Sequence, residues 1–83
     1  MQLDEVRTIV DETRRSLGFG EARLIGERIV LQDRFYIGRR FEFEGVSVLW
    51  LVEAQEIKFY NAHGEFITSV QLGQQQPPLR RAA

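Results

Sequence analysis

The sequence predicts an α+β fold: one amino-terminal helix packed on a curved, mainly antiparallel sheet of four or five strands. Three observations carry that expectation. Residues 35–70 alternate apolar and polar side chains with the period of two that a half-buried strand requires. Turn signals at Glu44-Gly45 and Asn61-Ala62-His63-Gly64 punctuate this stretch. Residues 3–17 instead place Leu3, Val6, Val10, Thr13 and Leu17 at steps of three and four, one apolar stripe of a helix.

The helix has its ends marked. Asp4 and Glu5 lie at its start and Arg14 and Arg15 at its end, as the helix dipole favours. Gly18 stands where a left-handed C′ residue belongs, and Phe19 supplies the apolar contact that follows it. A helix of about 15 residues does not persist in water without burying its stripe. Two partners are open to it: its own sheet, or a second copy of the same helix, because the spacing also fits two heptads of a coiled coil.

A first strand is expected over residues 23–32, interrupted by Gly26 at a bulge or bend. The consecutive apolar residues 29–31 imply burial on both faces or a strand that bends between layers. Asp33-Arg34 turns the chain into a second strand ending at Phe43. A two-residue turn at Glu44-Gly45, for which glycine suggests type I′, sets Phe43 opposite Val46, Phe41 opposite Val48, Arg39 opposite Trp50 and Ile37 opposite Val52. A slip of one residue would turn the whole apolar set outward, so the pattern specifies its own register. A tight connection at Ala54-Gln55 would set Val52 opposite Ile57 and Trp50 opposite Phe59. Beyond the turn at 61–64, either Phe66 and Val70 or Ile67 and Ser69 point inward. The expected core is Val6, Val10, Ile29, Leu31, Phe35, Ile37, Phe41, Val48, Trp50, Val52, Ile57 and Phe59. Residues 1–72 form one domain, and 73–83, rich in glutamine and proline, read as a disordered tail.

Composition restricts function more than it reveals it. With 43% hydrophobic and 28% charged residues, the chain has the make-up of a soluble globular domain. The absence of cysteine excludes disulfides and thiolate metal sites, and one histidine is too few for a zinc site. The longest apolar run, 48–52, is far too short to span a bilayer, and the acidic amphipathic amino end lacks the marks of a signal peptide, so the cytoplasm is expected. Catalysis is not expected either. His63 falls in the turn expected at 61–64, no activated nucleophile accompanies it, and Glu42 and Glu44 read as solvated carboxylates. No phosphate-cradling loop or cofactor motif is present: Gly18-Phe19-Gly20 lies at the wrong end of a helix. Neither catalytic nor metal-binding residues are assigned, and no cofactor.

Two candidate surfaces remain. Leu3, Val6 and Val10 of the stripe, with Tyr36 and Tyr60 expected on the outer sheet face, suit a protein partner or a homodimer. Arg23, Arg28, Arg34, Arg39 and Arg40 form a cluster in sequence, with Arg39 able to stack on Trp50, and suit a nucleic-acid backbone. Net charge is −1, and residues 41–72 carry five glutamates against Lys58, so cross-strand charge pairing competes with that second reading.

The run from Asp33 through Gly38-Arg39-Arg40-Phe41, then Phe43-Glu44-Gly45-Val46 and Ile57-Lys58-Phe59-Tyr60, resembles the small SH3-like β-barrel at the carboxyl end of integrase-core transposases. The resemblance spans about forty residues over 33–70 and none of that family's catalytic carboxylate core. It implies a partly open barrel that contacts DNA or neighbouring subunits and carries out no chemistry. The leading expectation is therefore a non-catalytic interaction module, and the alternative is a nucleic-acid-binding accessory domain.

Overall fold

A computed structural model describes residues 2–72. It contains α1 (Gln2–Ser16), β1 (Leu24–Gln32), β2 (Phe35–Phe43), β3 (Val46–Leu51), β4 (Glu56–Asn61) and β5 (Phe66–Gln71). The strands form one antiparallel sheet in chain order, each pairing only with its sequence neighbours. β1 and β5 do not pair, so the sheet is curved but open and does not close into a barrel. The tail expected over 73–83 lies outside the described residues.

α1 ends as its sequence requires. Gly18 takes φ 93°, its N–H donates to Arg15 O at 3.0 Å, and the Phe19 N–H donates to Arg14 O at 2.9 Å. These two bonds form a Schellman cap, which satisfies carbonyls the helix itself cannot. Phe19 then packs on the core and lies against Gly45, fixing this end of the helix beside the β2–β3 turn.

The helix lies on one face of the sheet. Val6 and Val10 are fully buried there with Phe41, Val46, Val48, Trp50, Ile57 and Phe59. That core belongs to β2, β3 and β4. A helix about 10 Å wide spans two or three strands spaced about 4.8 Å apart, so the outer strands fall beyond its cover. Ile29, Leu31 and Phe35, expected in the core, are accordingly exposed, at 50%, 57% and 71%. β1 is not buried on both faces, and Ile37 and Val52 are only half-buried. Val46 joins the core, on the face the register assigns it.

The β2–β3 register is the one expected, from Phe43 with Val46 through Arg39 with Trp50, and the Val52 N–H donates to Ile37 O at 3.0 Å. At its turn only Gly45 has positive φ (84°), which is the φ signature of type II and not of type I′. The I′ pattern appears instead at Asp33 (φ 52°) and Arg34 (φ 73°). Gly38 faces Leu51 with no room for a Cβ, which would stand 1.9 Å from the Trp50 carbonyl oxygen.

The β3–β4 register differs by two residues from the expectation. Trp50 pairs with Ile57 and Val48 with Phe59, because the loop is four residues, 52–55, closed by Gln55 N–H to Val52 O at 3.2 Å. Gln55 takes φ 53° there. The shift is even, so the same side chains still face the helix. At the last hairpin, Gly64 has φ 82°, its N–H donates to Asn61 O, and Asn61 Oδ1 accepts from the N–H groups of His63 and Glu65. A bulge at Ile67 mixes the two expected parities: Ile67 and Val70 pack on the core, while Phe66 is exposed.

Candidate interaction surface

Polar side chains on the helix face are tied together around Glu27. Its Oε2 accepts from Arg7 of α1 and from Arg39 of β2, each at 2.8 Å. Glu27 is largely shielded, with 17% of its side chain exposed, so this bridge joins helix, edge strand and second strand. Arg7 also lies over the Phe41 ring, 5.7 Å from its centre. The Arg39 guanidinium is held above its ordinary value, first by hydrogen bonding to Tyr36, against partial desolvation, with Glu27 adding to the rise. Arg39 does not stack on Trp50: the cation–π contacts among the described residues are Arg7 on Phe41 and Arg14 on Phe43. Arg39 Nε and Trp50 Nε1 are buried without partners among the described residues.

The expected arginine cluster is divided in space. Arg39 lies on the helix face, and Arg28 and Arg40 on the opposite one, where both reach Glu42, at 3.8 and 4.0 Å. Arg23 pairs with Glu44 at 3.5 Å, beside the β2–β3 turn. Arg34 sits alone at the tip of the β1–β2 hairpin, with no ion pair among the described residues. Four of the five charges thus have a carboxylate close by.

The two tyrosines are not neighbours. β2 carries one extra residue, Ile37, between the pairs Val30–Gly38 and Leu31–Tyr36, and this bulge changes the phase of the strand. Tyr36 therefore reaches Arg39 on the helix side instead of lying outward with Arg40. Tyr60 keeps to the outer face, opposite Ser47, with its ring edge-on to Phe66 at 5.9 Å. The stripe residues Val6 and Val10 are enclosed by their own sheet, and Leu3 is half-buried against the same core. These three therefore offer no open face to a partner helix.

Sequence reasoning passed over Arg14. It is 8% exposed, and its Nη1 donates to the carbonyls of Phe19, Gly20 and Ala22 while Nη2 meets Asp11 at 2.9 Å. Its guanidinium lies 4.6 Å from the centre of the Phe43 ring. The signal was present: Arg14 follows Val10 by four and precedes Leu17 by three, so it, more than Thr13, continues the stripe.

The open apolar surface lies elsewhere. Among the described residues seven large hydrophobic side chains are exposed, and six of them (Leu24, Ile25, Ile29, Leu31, Phe35 and Tyr36) belong to β1 and the start of β2. Beside them a shallow groove of about 600 Å³ runs between the hairpin tip and the 52–55 loop, walled by Phe35, Tyr36, Ile37, Leu51 and Val52. No chemistry converges there. His63 is exposed in its turn, and Glu42 and Glu44 are each engaged by arginine. Among the described residues there is no group of three or more potential metal ligands, and no helix is long and apolar enough to cross a membrane. No protein-family model matches this chain, and neither a curated protein nor a solved structure matches it.

Proposed function

We propose that this chain is a non-catalytic cytoplasmic interaction module that binds protein through its β1–β2 hairpin. The observation that carries the reading is the confinement of six of seven exposed large apolar side chains to that one hairpin and its approach. Scattered apolar residues are ordinary on a surface, but their concentration on one hairpin marks a contact site. Phe35 and Tyr36 stand at its end, one on each face of β2, and aromatic side chains are favoured anchors of such interfaces.

The test is capture by the immobilised chain of a protein from its native extract, identified by mass spectrometry. The wild type is compared with Leu31→Lys/Phe35→Lys and with Phe66→Lys on the far edge. Recovery by wild type and Phe66→Lys but not by the hairpin variant is the expected result. Equal recovery by all three overturns the reading.

The alternative is a nucleic-acid-binding accessory domain, in the manner of the transposase barrel that the sequence resembles. Arg34, exposed at the hairpin tip without a carboxylate among the described residues, is the observation that favours it. Binding of a mixed-sequence duplex that weakens steeply with salt and is lost in Arg34→Glu would select this reading.

A further inference from the structure

The two edges of the sheet are unlike. β5 has six residues and exposes one large apolar side chain, Phe66; β1 has nine and exposes Leu24, Ile25, Ile29 and Leu31. An edge strand presents a row of unpaired N–H and C=O groups that templates another strand unless free charges, proline or an extra residue blunt it. Residues 26–32 contain no proline, and their two charges, Glu27 and Arg28, are each engaged in ion pairs within the chain. The bulge at Val30 places its extra residue on β2, so β1 itself runs regularly from Gly26 to Gln32.

This stretch is also nearly self-complementary. Arg28-Ile29-Val30-Leu31-Gln32 reads polar, three branched apolar residues, polar in either direction about Val30. We infer that the occupant of this edge is a second copy of the chain, its β1 paired antiparallel to the first about a twofold axis through Val30. This rests on the interaction reading above and names its partner. A twofold axis normal to a sheet keeps directly opposed residues on one face. Val30 then meets Val30, Ile29 meets Leu31 of the second copy and Leu31 meets Ile29, while Arg28 meets Gln32. Other axes serve less well. Moving the axis to Arg28 opposes two arginines, and moving it to Ile29 sets Leu31 against Glu27 and Arg28 against Val30.

Ile29, Leu31, Phe35 and Tyr36 remain between 46% and 71% exposed. Ile29 and Leu31, on one face of β1, are the apolar side chains that the pairing brings against their counterparts, while Phe35 and Tyr36 stand one strand in. The pairing joins two five-stranded sheets into one of ten strands and satisfies the outward backbone N–H and C=O groups of β1.

The chain has no cysteine, so one introduced thiol reports its own neighbourhood. Residues directly opposed across antiparallel strands have Cα atoms about 4.5–5.5 Å apart, within disulfide reach. Under mild oxidation Val30→Cys is expected to form a disulfide dimer several-fold faster than Arg28→Cys, which the register holds about 14 Å from its own copy. Phe66→Cys is expected to match Arg28→Cys. Light scattering is expected to give twice the 9.7 kDa chain mass for the wild type and the single mass for Ile29→Lys/Leu31→Lys, with unchanged circular dichroism. A wild type that stays at single mass at every concentration, with Val30→Cys no faster than Arg28→Cys, overturns the second copy as occupant. If capture of another protein still depends on the hairpin, the interaction reading survives that result; if capture is also indifferent to the hairpin, both fall. A dimer that cross-links through Phe66→Cys instead of Val30→Cys overturns the assignment to β1.

Discussion

Gly38 gives the sharpest test of how the sheet is built. It is buried in β2 opposite Leu51, and a Cβ placed on it would lie 1.9 Å from the carbonyl oxygen of Trp50, where ordinary contacts start near 3.4 Å. The obstruction is backbone, so no rotamer change relieves it; β2 and β3 must separate by about 1.5 Å. Overpacking of this kind costs about 1–3 kcal/mol, and a displaced ladder hydrogen bond adds about 1. Alanine reduces the entropy of the unfolded chain, which offsets about 0.5–1 kcal/mol. Gly38→Ala is therefore expected to lose about 1–3.5 kcal/mol, centred near 2, a large part of the roughly 4–12 kcal/mol available to a chain of this size. In thermal unfolding followed by far-ultraviolet circular dichroism this is a fall in Tm of about 10–20 °C. Gly26→Ala is the control, because nothing lies within 4 Å of its added Cβ. A Gly38→Ala variant within about 0.5 kcal/mol of wild type, the scatter of ordinary surface changes, would refute the close approach of β2 to β3.

Other substitutions probe the remaining joints. Arg14→Ala removes the donor to three loop carbonyls and the cover over Phe43, and is expected to cost about 2–3 kcal/mol in urea unfolding. Arg14→Lys should not restore it, because an ammonium cannot reproduce the planar fork, and amide exchange should quicken over residues 19–22 in both. Glu27→Gln leaves Arg7 and Arg39 without their shared carboxylate and should lose about 1–2 kcal/mol, less at high salt; a loss that does not change with salt would deny the electrostatic bridge. Arg34→Gly relieves a non-glycine residue of φ 73° and should raise stability by about 1 kcal/mol, checked by the same denaturation; a decrease would contradict the type I′ turn. Asn61→Ala removes the oxygen that accepts two turn N–H groups and should cost about 1 kcal/mol, with exchange quickening at His63 and Glu65.

Some parts of the molecule were legible because short-range chemistry decides them. The helix end is written in Gly18 and Phe19, and the β2–β3 register follows from Gly45 and from an apolar set that tolerates only one parity. The β3–β4 register was not legible, because it depends on Gln55 taking a left-handed conformation that glutamine does not advertise. Ile29, Leu31 and Phe35 show a different limit. Their apolarity signals a preference for burial, but burial also needs something to lie over them, and one helix does not reach the edge strand. The arginines scattered for a similar reason: proximity in sequence says nothing of face, and the Ile37 bulge changed the face of Tyr36 without any mark in its own residue type. Arg14 was misjudged through its charge, although its position on the stripe pointed inward.

The strictly sequential order of the sheet bears on how quickly the chain finds its structure. Every strand pairs with its immediate neighbour in the chain, so each hairpin closes a loop of only two to four residues and its entropy of closure stays small. Low contact order favours folding in milliseconds or less. The buried side chains concentrate on β2, β3 and β4, so the nucleus is expected to form there, with β1 joining afterwards. Substitutions such as Val48→Ala should then slow folding, whereas changes on β1 should chiefly hasten unfolding. Stopped-flow kinetics would separate these effects. An edge that consolidates last is also the edge that remains longest available to another strand.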